Sequence, residues 1–565
     1  MSLIDLASLV LAPTAVKDGK VYNAIPNDQD FTFSRGTEAT RVNSAGLIEK
    51  ARTNYLYYSQ DFSNSNWVLQ NNATITHNIT DPNGGTTASR LTFDALTNSG
   101  LYQQQLTNFG TGLIRTASIY LKGAVGGENV MIGDASNRTR VVLTTDWVRY
   151  EGFASDDSTF FIIYTDHISG ASSDTIDIAF AQYENGLVAQ SYIETTTSAV
   201  YEGITDDVPR VDYSGKGCPS LLLEGQRTNA FNHSEYFDSS YYTKSFSTIT
   251  TNSTISPDGK QNAAELVEDT SNNRHLFFNT SAISGSSSPY TVSIFLKQNT
   301  RRYAFLQIAT DNASKRQTIV IDLSDGSITD TANTGSPIGV SYNVESFLNG
   351  FYRASLTATN TSGGVYIVCG LSNSATPTYN SSKEPIYTGN GSSIYCYGAM
   401  LEAGSYSTSY LPSYGTSTSR SADSCSLTNA SNLIGQSEGT LFFQLKDTNN
   451  LTAYLGVDNG STGTRILIYG INDQKIYTQV RNSGTLIFSA SSSVISGGVK
   501  VAVSFDSSGS VFYVNGLQVS TGSGTTYTNL SQVTFNHSSQ IGVKMKQAIL
   551  FPTRLTNDQL AELTK

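Results

Sequence analysis

Apolar residues in this chain come in short alternating runs. Lys500-Val-Ala-Val-Ser-Phe505, Arg465-Ile-Leu-Ile-Tyr469 and Thr116-Ala-Ser-Ile-Tyr-Leu-Lys122 put apolar and polar side chains on opposite faces of an extended strand. Asn515-Gly516 separates two such runs, which predicts a tight hairpin because both residues tolerate positive φ. A second hairpin is predicted at Asp325-Gly326, between the run 318–323 and Ser327-Ile328. Helical periodicity is confined to 555–563, where Thr556 is placed to cap a short terminal helix. The pattern predicts an all-β chain of many short strands.

One stretch of this pattern occurs twice. Glu49-Lys-Ala-Arg52-Thr-Asn54 returns as Glu224-Gly-Gln-Arg227-Thr-Asn229, an offset of 175. That offset also relates Ser59 and Phe62 to Ser234 and Phe237, Trp67 to Tyr242, Pro82 to Pro257, and the strand 116–122 to 291–297. Each copy closes alike, with Glu184-Asn-Gly186 before Ser191-Tyr192 and Glu402-Ala-Gly404 before Ser409-Tyr410. The closing offset is 218, from 184 to 402, so the second copy is longer by 43 residues. Two copies of one folding unit are expected to share their strand order. This shifts the expectation from a single-site enzyme towards a multivalent binding or structural protein.

The repeat divides the chain. Residues 1–48 are a leader too small for its own core, left to pack on a neighbour, another copy or a larger assembly. Module 1 spans 49–200, a connector 201–221, module 2 222–412, a second connector 413–432, and a third unit 433–565. The apolar leader residues Leu3, Ile4, Leu6, Leu9, Val10 and Leu11 imply self-association, with a homotrimer expected. The amino terminus has no basic leading region and is too short to span a bilayer, so no membrane insertion is expected.

Composition removes several functions. The net charge is −11 and no Lys/Arg cluster is present, which argues against binding a nucleic-acid backbone. Four cysteines without a Cys-x-x-Cys pair form neither a disulfide framework nor a zinc motif. Cys369 and Cys396 read as buried apolar residues, and Cys218 with Cys425 remains an open pairing. The five histidines, at 77, 167, 233, 275 and 537, have no metal-ligand spacing, and no nucleophile elbow is present. No catalytic residue, cofactor or metal ligand is assigned. Asp156-Asp157 and Asp206-Asp207 read as turns that leave room for a structural calcium.

The repeated Arg-Thr-Asn, Ser-x-x-Phe, Ser-Ile-x-Leu-Lys and Glu-x-Gly elements resemble carbohydrate-binding-module-like jelly rolls of bacteriophage and prophage tail proteins. The leader motif Phe31-Thr-Phe-Ser-Arg-Gly-Thr-Glu-Ala-Thr-Arg-Val42 looks like the amino-terminal motif of the same proteins. Leu433-Ile-Gly-Gln-Ser-Glu-Gly-Thr-Leu-Phe442 with Tyr513-Val-Asn-Gly516 looks like a concanavalin A-like, laminin-G-like sandwich. The resemblance implies tandem jelly rolls and a lectin-like end on a virion, head or tail. The leader would contact other virion proteins, the modules would contact host-surface polysaccharide, and assembly would occur in the host cytoplasm. The alternatives are a tail-spike depolymerase and a purely structural cementing protein.

Two expectations concern specific side chains. Sugars stack on aromatic rings, which makes Tyr241, Tyr242, Tyr303, Tyr454 and Tyr469 candidates, each also readable as a half-buried strand residue. The repeated charges are expected to pair within each module, Arg52 with Glu184 and Arg227 with Glu402, clasping first strand to last.

Overall fold

The computed structural model describes all residues except 1–2, 18, 25–28, 105–112, 156–159, 166–172, 216–217, 280–282, 285–286, 447–453, 472 and 536–541. The chain is all-β, built as three sandwiches, with one α-helix at Asn557–Thr564 among the described residues. That helix starts where the sequence places it. Thr556 accepts from the Gln559 backbone, and the Gln559 side chain answers in a capping box.

The two modules share one strand order. In module 1, one sheet runs Arg138–Val142, Asn129–Gly133, Phe160–Thr165, Gly100–Gln104, Trp67–Gln70. Its module 2 counterpart runs Lys315–Asp322, Tyr303–Thr310, Gly364–Ser372, Leu276–Asn279, Tyr242–Ser245. The facing sheet runs Val148–Ser155, Ile114–Gly123, Thr175–Asn185, Ala88–Thr92, Thr74–Ile79 in module 1. Module 2 repeats it as Tyr352–Asn360, Ser288–Gln298, Ser393–Ala403, Ala263–Glu268, Ser247–Thr254. The register agrees to the residue: Thr116 faces Glu184 and Thr291 faces Glu402. Even the bulge recurs, with Phe180 at φ 53° and Gly398 at φ 63°. Much of the added length of module 2 is the strand pair Ile328–Thr334 and Ile338–Ser346, which extends each sheet by one edge strand. The turn at Asp325-Gly326 begins this extension, as its residues predict.

The third sandwich corrects the sequence-based boundaries. Leader strand Leu9–Lys17 pairs with Gly542–Phe551 near the carboxyl end, and leader strand Phe31–Ser34 pairs with connector strand Ser424–Leu427. Connector strand Ser220–Glu224 also pairs with Gly542–Phe551. Leu9, Leu11, Val21, Phe31 and Phe33 are buried in one core with Leu441, Phe443, Val503 and Phe535. The leader strands within 9–34 and the connector strands Arg210–Asp212 and Ser424–Leu427 are therefore parts of the third sandwich, while the leader hairpin at 40–50 is a sheet of its own whose Ile48 packs on module 2. The apolar leader needed a core, and one exists within the chain: Leu9, Val10 and Leu11 are buried there, so these three give no reason for self-association, while Ile4 stays exposed. Module 1 sits as an insertion between two halves of this framework.

A buried charge cluster holds the framework where its segments cross. Arg35 of the leader, Arg210 and Glu224 of the first connector region, and Arg420 and Asp423 of the second are each at most 4 % exposed. Asp423 takes Arg35 at 3.1 Å, and also Arg210, while its second oxygen accepts from the Glu224 backbone at 2.7 Å. Glu224 takes Arg210 at 2.6 Å and Arg420 at 2.8 Å. Burial alone would raise the Glu224 carboxyl, but Arg420 and Arg210 hold it well below the usual range.

Candidate functional site

Module 2, the leader hairpin (Thr40–Val42 with Ile48–Lys50) and the third sandwich enclose a cleft of about 570 Å³. The edge strand Ile338–Ser346 supplies one wall with Tyr342, Asn343 and Glu345. Asp473 and Gln474 of the third sandwich, Arg41 and Lys544 also line it. Tyr342 is 49 % exposed, an aromatic ring presented to solvent from a strand that has no partner on that side. The polar groups are held in place. Asn343 donates to Glu345 at 3.1 Å, Tyr477 Oη donates to Asp473 at 2.5 Å, and Arg41 donates to Glu49 at 2.8 Å. The cleft thus offers the Tyr342 ring together with the amides of Asn343 and Gln474, the carboxylates of Glu345 and Asp473, and the cations Arg41 and Lys544. That is the chemistry of a polyhydroxylated ligand, whose C–H face stacks while its hydroxyls exchange hydrogen bonds.

Among the described residues, none of the tyrosines singled out in the sequence lines this cleft. Tyr242 is core, 2 % exposed, and donates to the His233 carbonyl. Tyr241 packs against the same core. Arg302 lies 5.3 Å over the ring of Tyr303. The Tyr454 side chain lies outside the described residues. Tyr469 stacks on Tyr477 at 5.3 Å, and Tyr477 holds the cleft residue Asp473. Tyr342 lies on the module 2 extension and is one of 32 tyrosines, so nothing in its residue type marks it out.

The expected Arg–Glu clasps are not formed. Arg52 donates to Glu202 at 2.7 Å, and Arg227 lies 5.2 Å over the Tyr406 ring. Each repeated Glu turns inward to the loop that follows its own strand. Glu184 accepts from Gln182 at 2.6 Å and from the Gln190 backbone at 2.9 Å. Glu402 accepts from the Thr408 backbone at 3.0 Å and from the Thr408 hydroxyl. The arginine near each Glu is a repeated one that the offset did not reveal. Arg149 donates to the Gln190 carbonyl and Ser118, and Arg353 donates to the Thr408 carbonyl and Ser293.

Burial raises both repeated carboxyls, and Glu184 reaches about 7. A carboxyl raised in the folded state costs stability once ionised. The penalty is absent below the unfolded value, near 4.3, and grows to roughly 3 kcal/mol as pH rises past 7. Glu184→Gln is therefore expected to raise the melting temperature at pH 8 and to leave it unchanged near pH 4. Thermal melts of both proteins across that range check the sign.

All four cysteines are free: Cys218 is exposed and Cys425 buried, so they do not pair. Cys369 and Cys396 are wholly buried. Among the described residues, no group of three or more His, Cys, Asp or Glu is placed to hold a metal ion. Asp207 accepts from the Arg35 backbone, while Asp156, Asp157, His167 and His537 lie outside the described residues. No described helix is long and apolar enough to cross a membrane.

No protein-family model matches this chain, and no curated protein matches it. Among solved structures it is similar to the CBM40 of Ruminococcus gnavus IT-sialidase, at 18 % identity and TM-score 0.22, covering 24 % of this chain and 87 % of that one. The CBM22-1–CBM22-2 tandem domain of Paenibacillus barcinonensis Xyn10C is 7 % identical, with TM-score 0.23 over 62 % of this chain and 98 % of that one. Domains LG4-5 of the mouse laminin alpha1 chain are 12 % identical, with TM-score 0.16 over 51 % and 90 %. At these scores the architecture rests on the chain's own sheets and register.

Proposed function

We propose that this chain is a non-catalytic carbohydrate-binding protein of a bacteriophage particle, adhering to host-surface polysaccharide. The observation that carries the binding reading is the solvent-facing Tyr342 in a cleft framed by Asn343, Glu345, Asp473 and Gln474. The virion setting is supported by the resemblance of the leader and module motifs to phage tail proteins. Assembly as a homotrimer and attachment to other virion proteins belong to the same proposal, since valency multiplies weak single sites.

The test is a glycan array probed with the full chain and with Tyr342→Ala. Binding to a defined set of bacterial glycans is expected, weakened at least tenfold by the substitution. An array silent at high protein concentration would favour the purely structural reading. The depolymerase reading has one point in its favour, because Glu345 and Asp473 line the same cleft. Each accepts a hydrogen bond from a neighbouring side chain, Asn343 and Tyr477.

A further inference from the structure

A second cavity, of about 390 Å³, lies between module 1 and module 2. Glu184 and Asn185 of the last module 1 strand line it from one side, and Glu235, Asp258 and Asn262 of module 2 line it from the other, with Lys50 between. The Lys50 end is complete. Its ammonium lies 2.7 Å from Asp258 and 3.0 Å from Glu235. The rest of the wall is not. Glu184 Oε2, Asn185 Oδ1 and Asn262 Oδ1 are buried and have no hydrogen-bond partner. Glu184 and Asn262 are each 1 % exposed. The Asn262 amide cannot be turned round to relieve this, because its Nδ2 already donates to Asp258 at 3.0 Å and Glu235 at 3.3 Å.

Module 2 shows what a finished site of this kind looks like. At the equivalent Glu402, Thr408 satisfies both oxygens, one through its backbone and one through its hydroxyl. The residue at the Thr408 position of module 1 is Gln190, whose backbone donates to Glu184 Oε1 and leaves Oε2 open. The surrounding scaffold is the same in both copies, since Arg149 and Arg353 make matching bonds. The open acceptor in module 1 is thus a local difference between two copies of one structure. A buried acceptor left unmatched costs free energy, and three around one cavity call for donors.

We propose that this cavity binds a small protonated amine of monosaccharide size, such as an amino sugar, whose ammonium donates to Glu184 Oε2. The class follows from the wall. The unmatched groups of Glu184, Asn185 and Asn262 are all acceptors, one of them a carboxylate, and the ammonium of Lys50 already answers the carboxylates of Glu235 and Asp258 in the same cavity. The volume lies in the range of small-ligand pockets. The site is separate from the Tyr342 cleft and does not rest on that reading.

The test is calorimetric titration of the full chain with D-glucosamine, with glucose and N-acetylglucosamine as neutral controls. Glucosamine is expected to bind at least tenfold more tightly than either control. Glu184→Gln should weaken it at least tenfold, and so should Gln190→Thr, which supplies the hydroxyl that module 2 uses. Gln190→Thr also guards against misfolding, because the equivalent backbone already carries threonine. Tyr342→Ala should leave glucosamine binding unchanged. Absence of glucosamine binding to the unmodified chain, equal binding of the neutral sugars, or binding unaffected by both module 1 substitutions would each overturn the proposal.

Discussion

Asp423→Ala is expected to destabilise the chain more than any other single substitution of a charged residue, by about 3–5 kcal/mol. Asp423 is 1 % exposed and bonds to Arg35 and Arg210, both fully desolvated. Removing it strands two guanidinium groups, because Arg35 keeps only carbonyl acceptors and Arg210 keeps only Glu224 as a counter-charge. It also takes the acceptor from the Glu224 backbone. The three segments that meet here are more than 150 residues apart in the chain, so the loss should loosen leader, connectors and module 2 together. Chemical denaturation of wild type and variant checks it, and a midpoint shift under 1 kcal/mol would show that the cluster is not a joint. Acid should act on the same joint. Glu224 is depressed, so its contribution is present above the unfolded carboxyl value and is lost as pH falls towards the folded one.

Leu11→Ala is expected to cost about 2–5 kcal/mol, and the loss should appear in the third sandwich. Leu11 has no exposed surface and faces Ala548 across a strand pair that joins the two ends of the chain. A leader that served only as an external attachment segment would tolerate the change. Hydrogen exchange separates the two accounts. Amides of Gly542–Phe551 and Gly439–Leu445, which pair with each other, should lose protection while those of module 1 keep theirs.

What the sequence disclosed was local. The doubled module was legible because its landmarks keep a fixed offset, and that register became a shared strand order down to the bulge at Phe180 and Gly398. The hairpin at Asn515-Gly516 formed because those two residues adopt positive φ, 48° and 82°. What failed was long-range. Leu9 and Leu550 are partners at opposite ends of the chain, and no periodicity in either segment names the other. Arg35, Arg210 and Arg420 look like solvated charges on connectors until folding brings them to two shared carboxylates. The Arg52–Glu184 clasp failed for a related reason. Arg52 is paired across the strand to Glu202, and the fate of Glu184 is set by a loop conformation at Gln190 that residue types do not encode.

Carbohydrate binding without turnover leaves its mark on the size of the polysaccharide. Purified full-length protein is incubated with host-surface polysaccharide, the mixture is sized by chromatography with light scattering, and the polysaccharide is sized again after the protein is removed. A heavier complex is expected, lost with Tyr342→Ala, and a polysaccharide recovered at its starting length. Shortened chains or released oligosaccharides, absent with Glu345→Gln, would contradict it.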